Sequence, residues 1–240
     1  MADVSVLAAL FALFAWWFST GIILLAVRRS DKCGGVAPTL CVLWGLPFLG
    51  FGLAAAWAAR MDGTVLGVYQ GFVSALALWG WIELAFLTGV ITGPNRTPLP
   101  PRTSRRGAFW AAWRTVAYHE LALLAGLTAL IWMAVGAINA TAALTFGTLW
   151  IARVLAKLNL FLGVPGINLE AIPSRLSHIP SYFRQDEPSW LFPISVLLLG
   201  GGTAFWIAQL GAGTPEQSVT AALLAALTGL ALIEHWMMLL

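Results

Sequence analysis

The chain has 240 residues, 60% of them hydrophobic and 10% charged, with a mean hydropathy of +0.84. Soluble domains carry about 25% charged residues, so the composition excludes an ordinary soluble domain and reads as one polytopic membrane domain over residues 1–240. The formal net charge of +3 arises in short basic connections and not on one basic face, which leaves a nucleic-acid-binding function without support.

Runs of roughly 20 apolar residues are long enough to cross the hydrocarbon core. Seven occur in chain order: Val4 to Val27, Pro38 to Ala59, Val65 to Ile91, Val116 to Ile138, Ala140 to Leu162, Trp190 to Leu210 and Val219 to Leu240. Backbone polar groups must be satisfied inside lipid, so each run is expected to be a helix and the fold an all-α membrane bundle. The first run opens on MADVSVLAAL. It has neither a basic leader nor a small-residue cleavage site, and it is expected to be an anchor. The fourth and fifth runs meet at the tight turn GAINAT. The larger connections are expected at about 92–115 and 163–189, the former containing the irregular Pro- and Arg-rich stretch GPNRTPLPPRTSRR. Cys33 and Cys41 show no metal-finger or CxxC spacing and read as free thiols.

Cations alternate between connections. Arg28, Arg29 and Lys32 follow the first span. Arg96, Arg102, Arg105, Arg106 and Arg114 follow the third, and Arg175 and Arg184 the fifth, whereas the opposite connections hold only Arg60. By the positive-inside rule the N-terminus is expected outside or in the periplasm and the C-terminus in the cytoplasm. Of the 13 tryptophans, Trp16, Trp17, Trp57, Trp110, Trp113, Trp190 and Trp236 sit near span ends, as in an aromatic belt. A surface for flat hydrophobic partners is the alternative.

With this orientation, Glu83, His119, Glu120, Arg153, Lys157, Glu234 and His235 fall at similar depth on four helices. They form one intramembrane polar layer toward the cytoplasmic end. Arg153 and Lys157 are four residues apart and share a helix face. Two cations at bilayer depth are costly unless compensated, so they are expected to pair with some of the three glutamates inside the bundle. Glutamate and histidine also suit a carboxylate-bridged metal centre. However, the adjacent pairs HE and EH point about 100° apart on a helix, and no Glu-x-x-His spacing occurs. A metal centre, an ion path and a pigment held by His119 or His235 therefore stand as alternatives to a packed polar clasp, and no metal ligand is assigned. The last span has no lysine for a retinal Schiff base. No G-x-S-x-G elbow exists, and no catalytic residue is assigned.

The stretch GVPGINLEAIPSRLSHIPSYFRQDEPSW is cut by prolines into short pieces. Ile167, Leu169, Ile172, Leu176, Ile179, Tyr182 and Phe183 can form its apolar face. It is expected along the cytoplasmic interface, with Arg175 and Arg184 toward headgroups or a partner and His178 exposed. Together with Tyr182 these residues form the expected partner-docking loop. Two runs of small residues, Gly52 to Ala59 and Gly200 to Phe205, suit close helix approach, within the bundle or to a partner.

The stretch KLNLFLGVPGINLEAIPSRLSHIPSYF resembles the most characteristic segment of the photosynthetic complex assembly protein PuhE family of purple phototrophic bacteria. The upstream AYHELALL and the later EHW are also similar to that family. The resemblance implies a multi-pass protein of the bacterial inner membrane that assists assembly of the photosynthetic reaction centre and core light-harvesting complex. Its partners would be the lipid bilayer and reaction-centre or core antenna polypeptides, and pigment delivery is one route by which it would assist. The cofactor is left open between bacteriochlorophyll and, behind it, a metal held by carboxylate and histidine. The resemblance carries over no catalytic residue. A membrane enzyme of bacteriochlorophyll or carotenoid metabolism with a Glu/His centre, and a small transporter, are the alternatives.

Overall fold

A computed structural model describes residues 2–167 and 172–240. Eight α-helices follow in order: α1 (Ala2–Cys33), α2 (Ala37–Trp44), α3 (Leu46–Ala59), α4 (Val65–Leu87), α5 (Arg105–Ala134), α6 (Thr141–Leu162), α7 (Leu191–Ala208) and α8 (Pro215–Met237). With α2 and α3 counted together they supply seven segments long and apolar enough to cross a membrane, the number read from hydropathy. No strand occurs among the described residues; a single bridge joins Val164 and Gln185.

The boundaries depart from the hydropathy limits where local chemistry intervenes. The second span is broken at Gly45, because Pro47 has no N–H to continue the helical ladder and starts α3 instead. At the break the Trp81 indole donates to the Val42 carbonyl at 3.1 Å. Helix α4 stops four residues before the expected Ile91, where Gly89 adopts φ +73°, a left-handed conformation that glycine adopts without steric cost. Helix α5 begins well before Val116, capped by Ser104, whose hydroxyl accepts from the Gly107 N–H at 3.2 Å. Arg105, Arg106 and Arg114 are therefore helical and not part of an irregular loop. In the same way Arg28, Arg29 and Lys32 lie in the last turns of α1. Helix α8 begins at Pro215, before the expected Val219, through a capping box in which the Thr214 hydroxyl accepts from Gln217 N–H and the Gln217 side chain accepts from Thr214 N–H.

Helices α4 and α8 form the centre. Just over half of each span (56%) is buried, against 11% for α1. Their apolar faces, with those of α1, α3, α5 and α6, build the main core around Phe72, Leu123, Phe146 and Leu223. Trp79 packs edge-on against Phe146, with ring centroids 5.2 Å apart. Glycine 52 lets α3 meet α4 backbone to backbone: a Cβ there would stand 2.9 Å from both Leu78 N and Ser74 O. One face of the run from Gly52 to Ala59 (Gly52, Ala55, Ala56 and Ala59) is thus buried in the bundle, while Ala54, Trp57 and Ala58 stay exposed. The run from Gly200 packs loosely on α8, with nothing near Gly201.

One end of the bundle gathers the connections 60–64, 135–140 and 209–214. Asn139 ties the first two together, donating to the carbonyls of Ala59 and Asp62 at 3.2 Å each. The other end carries the arginine-rich connections, and it holds the site.

Candidate functional site

Five side chains of the polar layer come together near the arginine-rich end. Glu83 lies four residues from the end of α4 and is 8% exposed. Arg153, on α6, donates to its Oε2 at 3.0 Å. One turn further along α6, Lys157 makes an ion pair with Glu120 of α5. The i, i+4 spacing on α6 therefore produces two bridges, one to α4 and one to α5. Each neutralises a charge that would otherwise be expensive at this depth. Glu234 of α8 is the third carboxylate; it is exposed at the edge of the group and lies within the field of Arg153.

The two histidines stand apart from this group. His119 is fully buried, and its ring stacks on Phe86 with centroids 4.3 Å apart. Its Nε2 is 3.6 Å from Glu83 Oε1, too far for a hydrogen bond. His235 faces its own helix, with Nδ1 2.8 Å from the Ala231 carbonyl. Among the described residues no group of three or more histidine, cysteine or carboxylate side chains is placed to hold a metal ion. Glu83 and Glu120 each face a cation instead.

A connection that hydropathy reads as an open loop enters the bundle here. The carbonyl of Thr92 accepts the His119 N–H, and the carbonyl of Arg114 accepts the Asn95 N–H, both at 3.0 Å. Residues 92–95 thus lie along α5. Gly93 makes this approach possible, since a Cβ would fall 2.1 Å from Arg114 O.

The segment after α6 folds over the end of the bundle. Two 3-10 turns, Ser174–Leu176 and Ile179–Tyr182, turn its apolar side down onto the bundle. Leu176 and Ile179 join Phe86, with Ile172, Phe183 and Val116 packed around them. His178 is buried, not exposed, because it lies between these apolar anchors. Burial, and then the charge of Arg96, hold its imidazole below the usual histidine range. Tyr182 is buried as well. Its hydroxyl donates to the Thr97 carbonyl and accepts from the Asn95 amide, both at 2.8 Å. Arg175 and Arg184 keep exposed side chains, Arg175 donating to the Gly35 carbonyl at 2.7 Å and Arg184 pairing with Asp186. Leu169, expected on the same apolar side, lies outside the described residues.

Beneath this roof lies a half-enclosed cavity of about 780 Å³, within the range of sites for small organic ligands. Helices α1, α4, α5, α6 and α8 wall it. Glu83, Glu120, Arg153, Lys157 and Glu234 all reach it, whereas neither His119 nor His235 lines it. Trp16, Trp79, Phe86, Phe109 and Trp113 contribute aromatic wall. Trp16, read in sequence as belt, belongs to the site. Trp17, Trp110, Trp190 and Trp236 are exposed. The cavity itself carries no signal in the sequence, because it arises from what five separated segments leave unfilled.

A family model described as a protein of unknown function, DUF3623, matches residues 1–240. The chain belongs to the DUF3623 family. An "Uncharacterized 30.4 kDa protein in puhA 5'region" of Rhodobacter capsulatus is 43% identical over 238 residues, which cover 98% of this chain and 86% of that protein. No solved structure matches.

Proposed function

We propose that this protein is a multi-pass factor of a bacterial inner membrane that assists assembly of the photosynthetic reaction centre and its core light-harvesting complex. The observation that carries this reading is the near full-length match to a relative named for the puhA 5' region. Beside that match stands the resemblance of the segment from Lys157 to Phe183 to the assembly family. The arginine distribution supports a cytoplasmic position for the roofed end. The outer face of the roof, with Arg175 and Arg184, is then the docking surface for reaction-centre or antenna polypeptides.

Two measurements test this in a phototrophic host. Deleting the gene is expected to lower the core-complex absorption while pigment synthesis continues. Charge reversal at Arg175 and Arg184 is expected to reduce co-purification of core-complex subunits while the protein still accumulates. Normal core-complex levels in both strains would overturn the reading. A membrane enzyme of bacteriochlorophyll or carotenoid metabolism is the second reading, favoured by a cavity that meets the charged pairs. It predicts a missing or altered pigment in the deletion strain.

A further inference from the structure

The cavity has two features that rarely occur together: an apolar wall, and a band of ionised groups that already neutralise one another. The band determines what kind of head group the site accepts. Arg153 uses one N–H toward Glu83, and a guanidinium has five. Lys157 has three and is paired with Glu120. About a third of the Arg153 side chain (34%) and a quarter of the Lys157 side chain (23%) are uncovered, and both residues line the cavity. The site therefore offers spare hydrogen-bond donors. It offers no spare positive charge, because Glu83 and Glu120 cancel the two cations and Glu234 adds a further carboxylate. An anionic head would meet two cations whose charge Glu83 and Glu120 already cancel. A neutral carbonyl oxygen would accept a charge-assisted hydrogen bond and disturb neither pair.

The body of the ligand follows from the walls. Trp16 of α1, Trp79 and Phe86 of α4, and Phe109 and Trp113 of α5 put aromatic rings on three sides of the space. Flat conjugated groups pack well on such faces. Around them the lining is aliphatic, and Met237, exposed on α8 beside Glu234, marks an edge of the cavity. A tail leaving there would enter lipid.

We infer that the cavity binds a neutral amphiphile with a flat, conjugated, carbonyl-bearing head and a long apolar tail, its carbonyl oxygen accepting from Arg153, the less covered of the two cations. Isoprenoid quinones and esterified tetrapyrroles share this chemistry. The inference goes beyond the assembly reading and rests on the cavity alone.

The test uses the full chain purified in a mild detergent, with tryptophan quenching and co-elution as readouts. Four probes are titrated: a long-tailed isoprenoid quinone, a magnesium-free esterified tetrapyrrole, palmitate as an anionic amphiphile, and squalene as a hydrocarbon without a carbonyl. The quinone, the tetrapyrrole or both are expected to bind, and which of them binds identifies the source. Arg153→Met combined with Glu83→Gln removes a pair without leaving a charge, and it is expected to weaken binding about tenfold while the elution volume is kept. Ala156→Phe, which fills the cavity from α6, is expected to abolish binding. The inference is overturned if neither carbonyl probe binds, if palmitate or squalene binds as tightly, or if the paired variant binds like the unmodified protein. None of these results bears on core-complex levels in the deletion strain, so the assembly reading stands or falls separately.

Discussion

The same helices are packed solid in one half of the bundle and hollow in the other. Toward the arginine-poor end, α1, α3, α4, α5, α6 and α8 close around Phe72, Leu123, Phe146 and Leu223, with short connections capped by Thr64 and Thr214 and tied by Asn139. Toward the arginine-rich end α1, α4, α5, α6 and α8 leave a space of about 780 Å³, and long segments fold back to roof it. Interiors are ordinarily filled to crystal-like density. A void retained beside two ion pairs, in a molecule that packs its other half closely, separates a filled half from a hollow one.

That contrast can be broken from either side. The largest effect is expected in the solid half. Phe146→Ala removes a fully buried ring and should cost about 3–5 kcal/mol, measured by thermal unfolding in detergent, with probe binding by the folded fraction unchanged. In the hollow half, Glu83→Gln leaves Arg153 unpaired. Breaking a buried pair costs about 3–5 kcal/mol, and the partial exposure of Arg153 places this case at the lower end. The Arg153→Met, Glu83→Gln double variant should recover part of the loss, since residues in direct contact do not behave additively. Strict additivity would mean that the pair is not coupled.

A smaller effect is expected at Gly93. Gly93→Ala drives a methyl group into the Arg114 carbonyl and should cost roughly 1–3 kcal/mol through forced backbone movement. Limited proteolysis should then cut within 92–104 while α4 and α8 remain intact. The smallest effect concerns the roof. Burial and Arg96 lower the folded-state pKa of His178, so the unfolded chain binds the proton more readily. The contribution of His178 is full above the unfolded value, about 6.5. It declines as the pH falls below that value toward the lowered folded-state pKa. Protection from hydrogen exchange at residues 176–183, corrected for the intrinsic pH dependence of amide exchange, should therefore fall between pH 7 and pH 5, and His178→Gln should flatten that part of the response.

Much of the solid half is legible from sequence, because hydropathy, glycine runs and caps act over one or two helical turns. Spacing also makes the ion pairs legible. Arg153 and Lys157 lie one turn apart and need carboxylates at their own depth, and three glutamates have suitable positions along their helices. Which glutamate pairs with which cation depends on helix rotation, and among the described residues Glu234 makes no ion pair. The roof is not legible in the same way. The apolar side of the segment after α6 suits a membrane surface as well as a helix end, and only the positions of Phe86 and Val116 decide between them. The insertion of residues 92–95 depends on Gly93 meeting α5 at Arg114, a contact across 21 positions of chain that local periodicity does not register.

Gly166 donates its N–H to the carbonyl of Met238 at 2.8 Å, so residues beyond α8 help to close a cavity whose charged pairs are supplied by α4, α5 and α6. Synthesis runs from the N-terminus, so the helices that carry both ion pairs leave the ribosome before α8 does. Until α8 inserts, the space lacks one wall and the fastening of its roof. A ligand that entered through that missing side would be enclosed when α8 packs against the other four helices.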